Sequence, residues 1–321
     1  MSTDAEFASP QKVEKQKHHS FLVSVILRIA REQPLATVGG VIVLLLLLTG
    51  IFADFIAPYG VNEMVLADRL DPPSGAHILG TDQLGRDLFS RIVYGARISM
   101  FVGLGAPAIS LVLSTVIGCT SGYFGGRVDM VIQRFVDAIM CFPGLIILLT
   151  VIAITGPGLI QVILVLGILG GIGGQVRVVR SAVMSIRGSV YVDAAKAVGS
   201  PDARTLIRHI LPNVMAPMII LFTTAMGGAI LTEASLSFLG FGVPPPQPSW
   251  GGMLSREARV YMEQAPWLAL WPGLALGCVV WGINMLGDGL RDVLDPRLIG
   301  GRTGRYKTKM AKKLAKATQE K

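Results

Sequence analysis

Val192-Asp-Ala-Ala-Lys-Ala-Val-Gly199-Ser-Pro-Asp-Ala-Arg-Thr-Leu-Ile-Arg-His-Ile-Leu-Pro-Asn213 is the longest polar interruption in the second half of a chain otherwise apolar enough for a bilayer. It reads as two short helices hinged at Gly199. Val192, Ala195 and Val198 recur at helical spacing in the first, and small Ala194 and Ala195 let a partner approach closely. Gly199 suits the left-handed position that ends a helix. Ser200 then caps a second helix, Pro201 fits its first position, and Asp202 complements the positive end of its dipole. Leu206, Ile207, Ile210 and Leu211 give that helix an apolar stripe, interrupted at Pro212. A compact helix–turn–helix tied at both ends to hydrophobic spans has the form of a lever gripped by something soluble.

The surrounding composition supports the bilayer. Of 321 residues, 51% are hydrophobic and 16% charged, with a mean hydropathy of +0.58; soluble domains carry about 25% charged residues. The net charge of +8 does not indicate nucleic acid, because the basic residues sit in tails and loops between apolar runs. Cys119, Cys141 and Cys278 all fall within apolar runs, which argues for packing rather than a disulfide framework. A charged segment precedes the first apolar run and no small-residue cleavage pattern follows it, so that run is expected to stay as an anchor.

Five uncharged stretches give six spans. Leu35–Ala53 has 19 residues, enough for a hydrocarbon core of about 30 Å. Ile98–Gly126 is the second. Ala138–Val176 would be about 58 Å long as one straight helix, and Gly156-Pro157-Gly158 divides it into spans over 131–155 and 159–176. Asn213–Thr232 and Gln264–Gly287 complete the set. The expectation is therefore an all-α polytopic protein. Residues 1–34 form a tail with an interfacial helix over Ser20–Arg31, and 35–57 the first span. Residues 58–96 form an external loop. A five-helix core over 97–290 carries a cytoplasmic loop at 181–212 and an external loop at 236–265, and 291–321 is a basic cytoplasmic tail. With both termini inside, all Lys and Arg except Arg69, Arg86, Arg91, Arg97, Arg256 and Arg259 are cytoplasmic, a strong positive-inside bias.

In the first external loop, Asp82, Arg86, Asp87 and Arg91 alternate in sign and suggest local ion pairs, of little worth if exposed. In the second, Pro244-Pro245-Pro246 makes a stiff stretch and Trp250 suits a membrane–water boundary. Asp82, Arg86, Pro245 and Trp250 are thus candidates for docking an external partner. Acids near spans invite a functional reading. Glu233 is a candidate for the passage, against the blander reading of a helix-end acid held locally, and Asp137 is expected to pair with Arg134. Gly167 and Gly171 let a neighbouring helix come close, either to pack or to line the passage with backbone.

The order Asp193-Ala194-Ala195, three residues, Gly199, nine residues, then His209-x-Leu211-Pro212 resembles the EAA loop of ABC-importer permeases. Asp193 stands where that loop usually has Glu, and His209 where Ile is common. Gly80-Thr-Asp-x-x-Gly-Arg-Asp87, Leu236-Ser-Phe-Leu-Gly-Phe-Gly242 and Gly287-Asp-Gly-Leu-Arg-Asp-Val-Leu-Asp-Pro-Arg297 narrow the resemblance to the dipeptide/oligopeptide/nickel branch, second permease type. The resemblance implies a type I importer fold in a bacterial cytoplasmic membrane and import of di- or oligopeptides. Another small solute (a nickel chelate, glutathione, an opine, an oligosaccharide) is the alternative. Asp193, Ala194, Ala195, Gly199, Ser200, His209, Leu211 and Pro212 would contact the ATPase. The implied partners are a homologous second permease, two ABC ATPase subunits that bind the ATP and Mg, and an external solute-binding protein. The chain itself has no P-loop, His-Glu-x-x-His or Gly-x-Ser-x-Gly motif. Its four histidines are scattered over both faces, so neither a catalytic site nor a metal site is expected. An ion-driven secondary transporter is the rival class, and would show midplane acids or broken helices in both halves.

Overall fold

The computed structural model describes residues 28–30 and 32–294. The interfacial helix expected over Ser20–Arg31 and the basic tail over 291–321 lie almost wholly outside the described residues. Within them the apolar stretches are helical, as a bilayer demands, because no water is available there to satisfy a bare backbone.

The helices are α1 (Pro34–Ile51), α2 (Ala53–Ile56), α3 (Leu88–Phe124), α4 (Gly126–Met140), α5 (Gly144–Thr155), α6 (Leu159–Ile172), α7 (Gly174–Arg187), α8 (Val190–Ala197), α9 (Asp202–Thr205), α10 (Met215–Phe238), α11 (Trp250–Met253), α12 (Arg256–Val260) and α13 (Trp267–Leu294). Helices α1, α3, the run from Asp202 to Phe238, and α13 are each long and apolar enough to cross a membrane. The count reaches six when the bent pairs α4–α5 (82°) and α6–α7 (43°) each serve as one span.

The first of these bends corrects the straight span expected over 131–155. Pro143 has no N–H to continue a helix and pushes the preceding residue out of the helical region, so the chain breaks between Met140 and Gly144. The division at Gly156-Pro157-Gly158 is where the sequence placed it. The two bends lie side by side: a Cβ on Gly174 would be 4.0 Å from Met140 Cε. Arg177 donates to Asp137 at 2.5 Å across them, so the acid pairs between helices rather than with Arg134.

Helix α3 also starts earlier than expected. Asp87 caps it, its Oδ2 accepting from the Ser90 N–H at 2.8 Å. Residues 88–96 are therefore helix, not loop. At 37 residues the rod is about 55 Å long and outreaches the hydrocarbon core. Helices α6, α7, α10 and α1 all pack against it, and α13 packs mainly on α1 and α10. Gly167 and Gly171 make the α6 contact possible. A Cβ on them would come within 2.7 Å of Ile109 Cβ and 2.8 Å of Leu113 Cβ, respectively. They serve close packing inside this chain. The loop read as 181–212 is likewise shorter, because α7 continues to Arg187. Of the three cysteines only Cys119 is buried.

Candidate functional site: an elbow, a cleft and a cavity

The elbow is built by local chemistry. Helix α8 ends in a paired backbone lock: Ser200 N–H bonds the Ala195 carbonyl at 3.0 Å and Gly199 N–H bonds that of Lys196 at 2.9 Å. This closure requires a left-handed residue, and Gly199 has φ +83°. Ser200 does not cap the next helix as expected. Pro201 stands at the N-cap, with its carbonyl accepting from Thr205 N–H at 3.0 Å. Ser200 is one residue too early, and its Oγ accepts from Thr205 Oγ1 at 3.2 Å.

Pro212 does not end the second helix either; it changes its pitch. Helix α9 passes through a π-turn (Leu206–Ile210) and a 3-10 turn (Leu211–Val214) into α10. Pro212 lacks a donor; Leu211 N–H reaches back to the Leu206 carbonyl, and Asn213 Nδ2 donates to the His209 carbonyl at 2.7 Å.

The base of the elbow is sewn to the membrane helices. Val192, Ile210 and Val214 are buried with Cys119 of α3 and Val179 and Val183 of α7. Tyr123, near the end of α3, touches both arms: Lys196 Nζ lies 5.1 Å above its ring, and its hydroxyl donates to Asp202 Oδ1 at 2.6 Å. The tip faces outward. Val190 and Val198 are 85% and 89% exposed, with Tyr191 beside them. Asp193, Ala194, Gly199 and Pro212 are exposed, while Ala195, Ser200, His209 and Leu211 are half-buried. The eight residues expected to couple are thus brought together on one elbow. Tyr123, which touches both arms, was not singled out by the sequence.

At the opposite end of α3, the alternating charges form the local ion pairs expected of them, and they are buried. Asp82 Oδ1 accepts from the N–H groups of Leu84 (2.8 Å) and Arg86 (3.0 Å), and Oδ2 from Arg86 Nε (2.6 Å). Arg91 Nε stands 3.5 Å from Oδ2, and Asp87 Oδ1 meets His77 Nδ1 at 3.0 Å. Trp250 is buried too, Nε1 donating to the Ile92 carbonyl at 3.1 Å, so it anchors a loop instead of marking a membrane boundary. Of the four docking candidates only Pro245 is exposed. Between this network and the proline loop opens a cleft of about 310 Å³, lined by Leu84, Arg86, Arg91, Ser237, Gln247 and Ser249 among others. Glu233 does not reach it. It is 1% exposed and accepts from Ser237 Oγ at 2.6 Å. Its bonding is local, the blander of the two readings given for it.

A second cavity, of about 330 Å³, lies at the two bends, lined by Ser110, Gly144, Leu148, Gly170, Gln175 and Thr232 among others. Gln175 Oε1 accepts from Ser110 Oγ at 2.8 Å. Ser110, Gln175 and Thr232 lie in three different helices, α3, α7 and α10, so no single stretch of sequence signalled them.

An all-helical chain with up to six spans, an apolar-tipped elbow at one end and a capped cleft at the other defines a polytopic membrane transport component. Residues 114–300 match the family described as binding-protein-dependent transport system inner membrane component, and residues 21–73 match the N-terminal TM domain of oligopeptide transport permease C. The dipeptide transport system permease protein DppC of Alkalihalophilus pseudofirmus is 42% identical over 268 residues, 84% of this chain and 88% of that protein. The glutathione transport system permease protein GsiD of Pectobacterium atrosepticum is 40% identical over 267 residues, 83% and 88%. The di/tripeptide transport system permease protein DppC of Pseudomonas aeruginosa is 40% identical over 267 residues, 81% and 88%. The chain belongs to this family of binding-protein-dependent permeases and is a permease subunit of an ABC importer, with the type I fold.

Proposed function

We propose that this permease forms one half of a passage for di- and oligopeptides and that the 190–214 elbow is where ATPase subunits grip it. The observation that carries the elbow reading is its division of labour. A buried base is bonded to α3 and α7, and the exposed tip of Val190, Tyr191, Ala194 and Val198 is apolar without serving the chain's own core. The partners are a homologous second permease, two ATPase subunits that bind and hydrolyse ATP with Mg, and a solute-binding protein at the cleft end. The chain contacts lipid and no nucleic acid, and both termini and the elbow lie in the cytoplasm. The cavity at the two bends is the portion of the passage that this chain supplies, since discontinuous spans are where transporters bare polar groups at membrane depth. Peptides are favoured as cargo by the names of the relatives, the glutathione permeases included, since glutathione is itself a small peptide.

The test is a complex reconstituted in proteoliposomes with its native cysteines removed. A Val198→Cys substitution is expected to cross-link to an ATPase subunit, and to react with an impermeant maleimide only from the ATPase side. Gln83→Cys should react only from the other side. Labelling of both positions from one side overturns the orientation, and failure of Val198→Cys to cross-link in an actively transporting complex overturns the grip.

A further inference from the structure

We propose that the cleft at Arg86 is a carboxylate subsite, which receives the C-terminal carboxylate of a peptide before it enters the passage. The inference rests on the peptide reading above. Arg86 is 6% exposed and lines the cleft. Its Nε is held by Asp82, and among the described residues nothing pairs with its two terminal nitrogens. Those nitrogens form a rigid fork that matches the two oxygens of a carboxylate.

The acids nearest the fork are already occupied. Asp82 lines the cleft with Arg86 and Arg91, 2.6 Å from Arg86 Nε and 3.5 Å from Arg91 Nε. Its oxygens are already engaged by Leu84 N–H, Arg86 N–H and Arg86 Nε, which blunts their repulsion of an incoming carboxylate. Asp87 is occupied with His77 and the cap of α3. Glu233 does not line the cleft and is bonded by the Ser237 hydroxyl. Arg86 therefore presents the cleft with a positive group held in place by backbone-anchored partners, an arrangement that spends no ordering entropy when a ligand arrives.

Size decides which part of a peptide enters. A cleft of about 310 Å³ is at the lower end of ligand sites and takes a terminal residue, not a whole oligopeptide. Reading the terminus lets one subsite serve peptides of different length and side-chain composition.

The experiment measures uptake of radiolabelled dialanine by the complete reconstituted complex, alongside the binding-protein concentration that gives half-maximal ATPase stimulation. Gln247 is exposed at the cleft and outside the buried network, so its charge is changed without disturbing the loop. Gln247→Glu should lower uptake kcat/KM about threefold and Gln247→Lys raise it about threefold, the size expected of a partly screened charge nearby. Arg86→Lys, which keeps the charge and loses the fork, should lower it about tenfold. All three should leave binding-protein half-saturation unchanged. Uptake unaffected by both Gln247 variants overturns the subsite. So does the reverse order of signs, which would mean an amino terminus, or a shift in half-saturation, which would mean an acid of the binding protein. A wild-type complex that carries no peptide overturns the cargo reading, and the subsite with it.

Discussion

At Tyr123 one phenol meets both arms of the elbow, its ring beneath Lys196 and its hydroxyl on Asp202. A hydrogen bond to a charged group is worth about 1.5–3 kcal/mol, enough to keep α3 and the elbow moving together. Tyr123→Phe should leave the permease assembled but raise the ATP hydrolysed per peptide carried severalfold, read as the ratio of the two rates in proteoliposomes. Gly199 gives a sharper test. A β-branched residue is strained at φ +83°, so Gly199→Val should sharply reduce coupled uptake while the complex stays in the membrane. Gly199→Asn, which tolerates that conformation, should retain most of it. Gly199 was legible in the sequence because a helix ending is a local event. Tyr123 was not: it stands in a run of uncharged residues, 79 positions from the acid it bonds.

At the scale of elements, the 77–91 segment shows why its ion pairs were legible and their burial was not. Alternating signs over ten residues look the same on paper whether the loop is solvated or folded inward. What folds it inward is Asp82 accepting from its own following backbone, which brings Arg86 round onto the same carboxylate. Asp82→Ala should leave Arg86 buried without its acid, at a cost of about 3–5 kcal/mol, seen as a lower aggregation temperature and less permease in the assembled complex. The spans themselves were legible from uncharged length, and so was the turn at Gly156-Pro157-Gly158. The bend after Met140 was hidden because Cys141-Phe142-Pro143 is as apolar as its flanks. Its cavity draws on residues more than a hundred positions apart, from Ser110 to Thr232, which no window along the chain joins.

Across the whole molecule, elbow and cleft occupy opposite ends of α3, the helix that contacts both. Its angular phase is consequently shared between them. One residue inserted after Pro107 would turn everything below it by about 100°, swinging Tyr123 away from Lys196 and Asp202 while leaving Asp87 and Leu88 where they were. Four inserted residues bring the heading back to within about 40° at the expense of about 6 Å of extra length. If orientation governs transmission, the longer insertion should regain more peptide-stimulated ATPase activity than the shorter one; if reach governs it, the ranking reverses. The rod would then be best understood as a keyed shaft, with a register that can be mis-set.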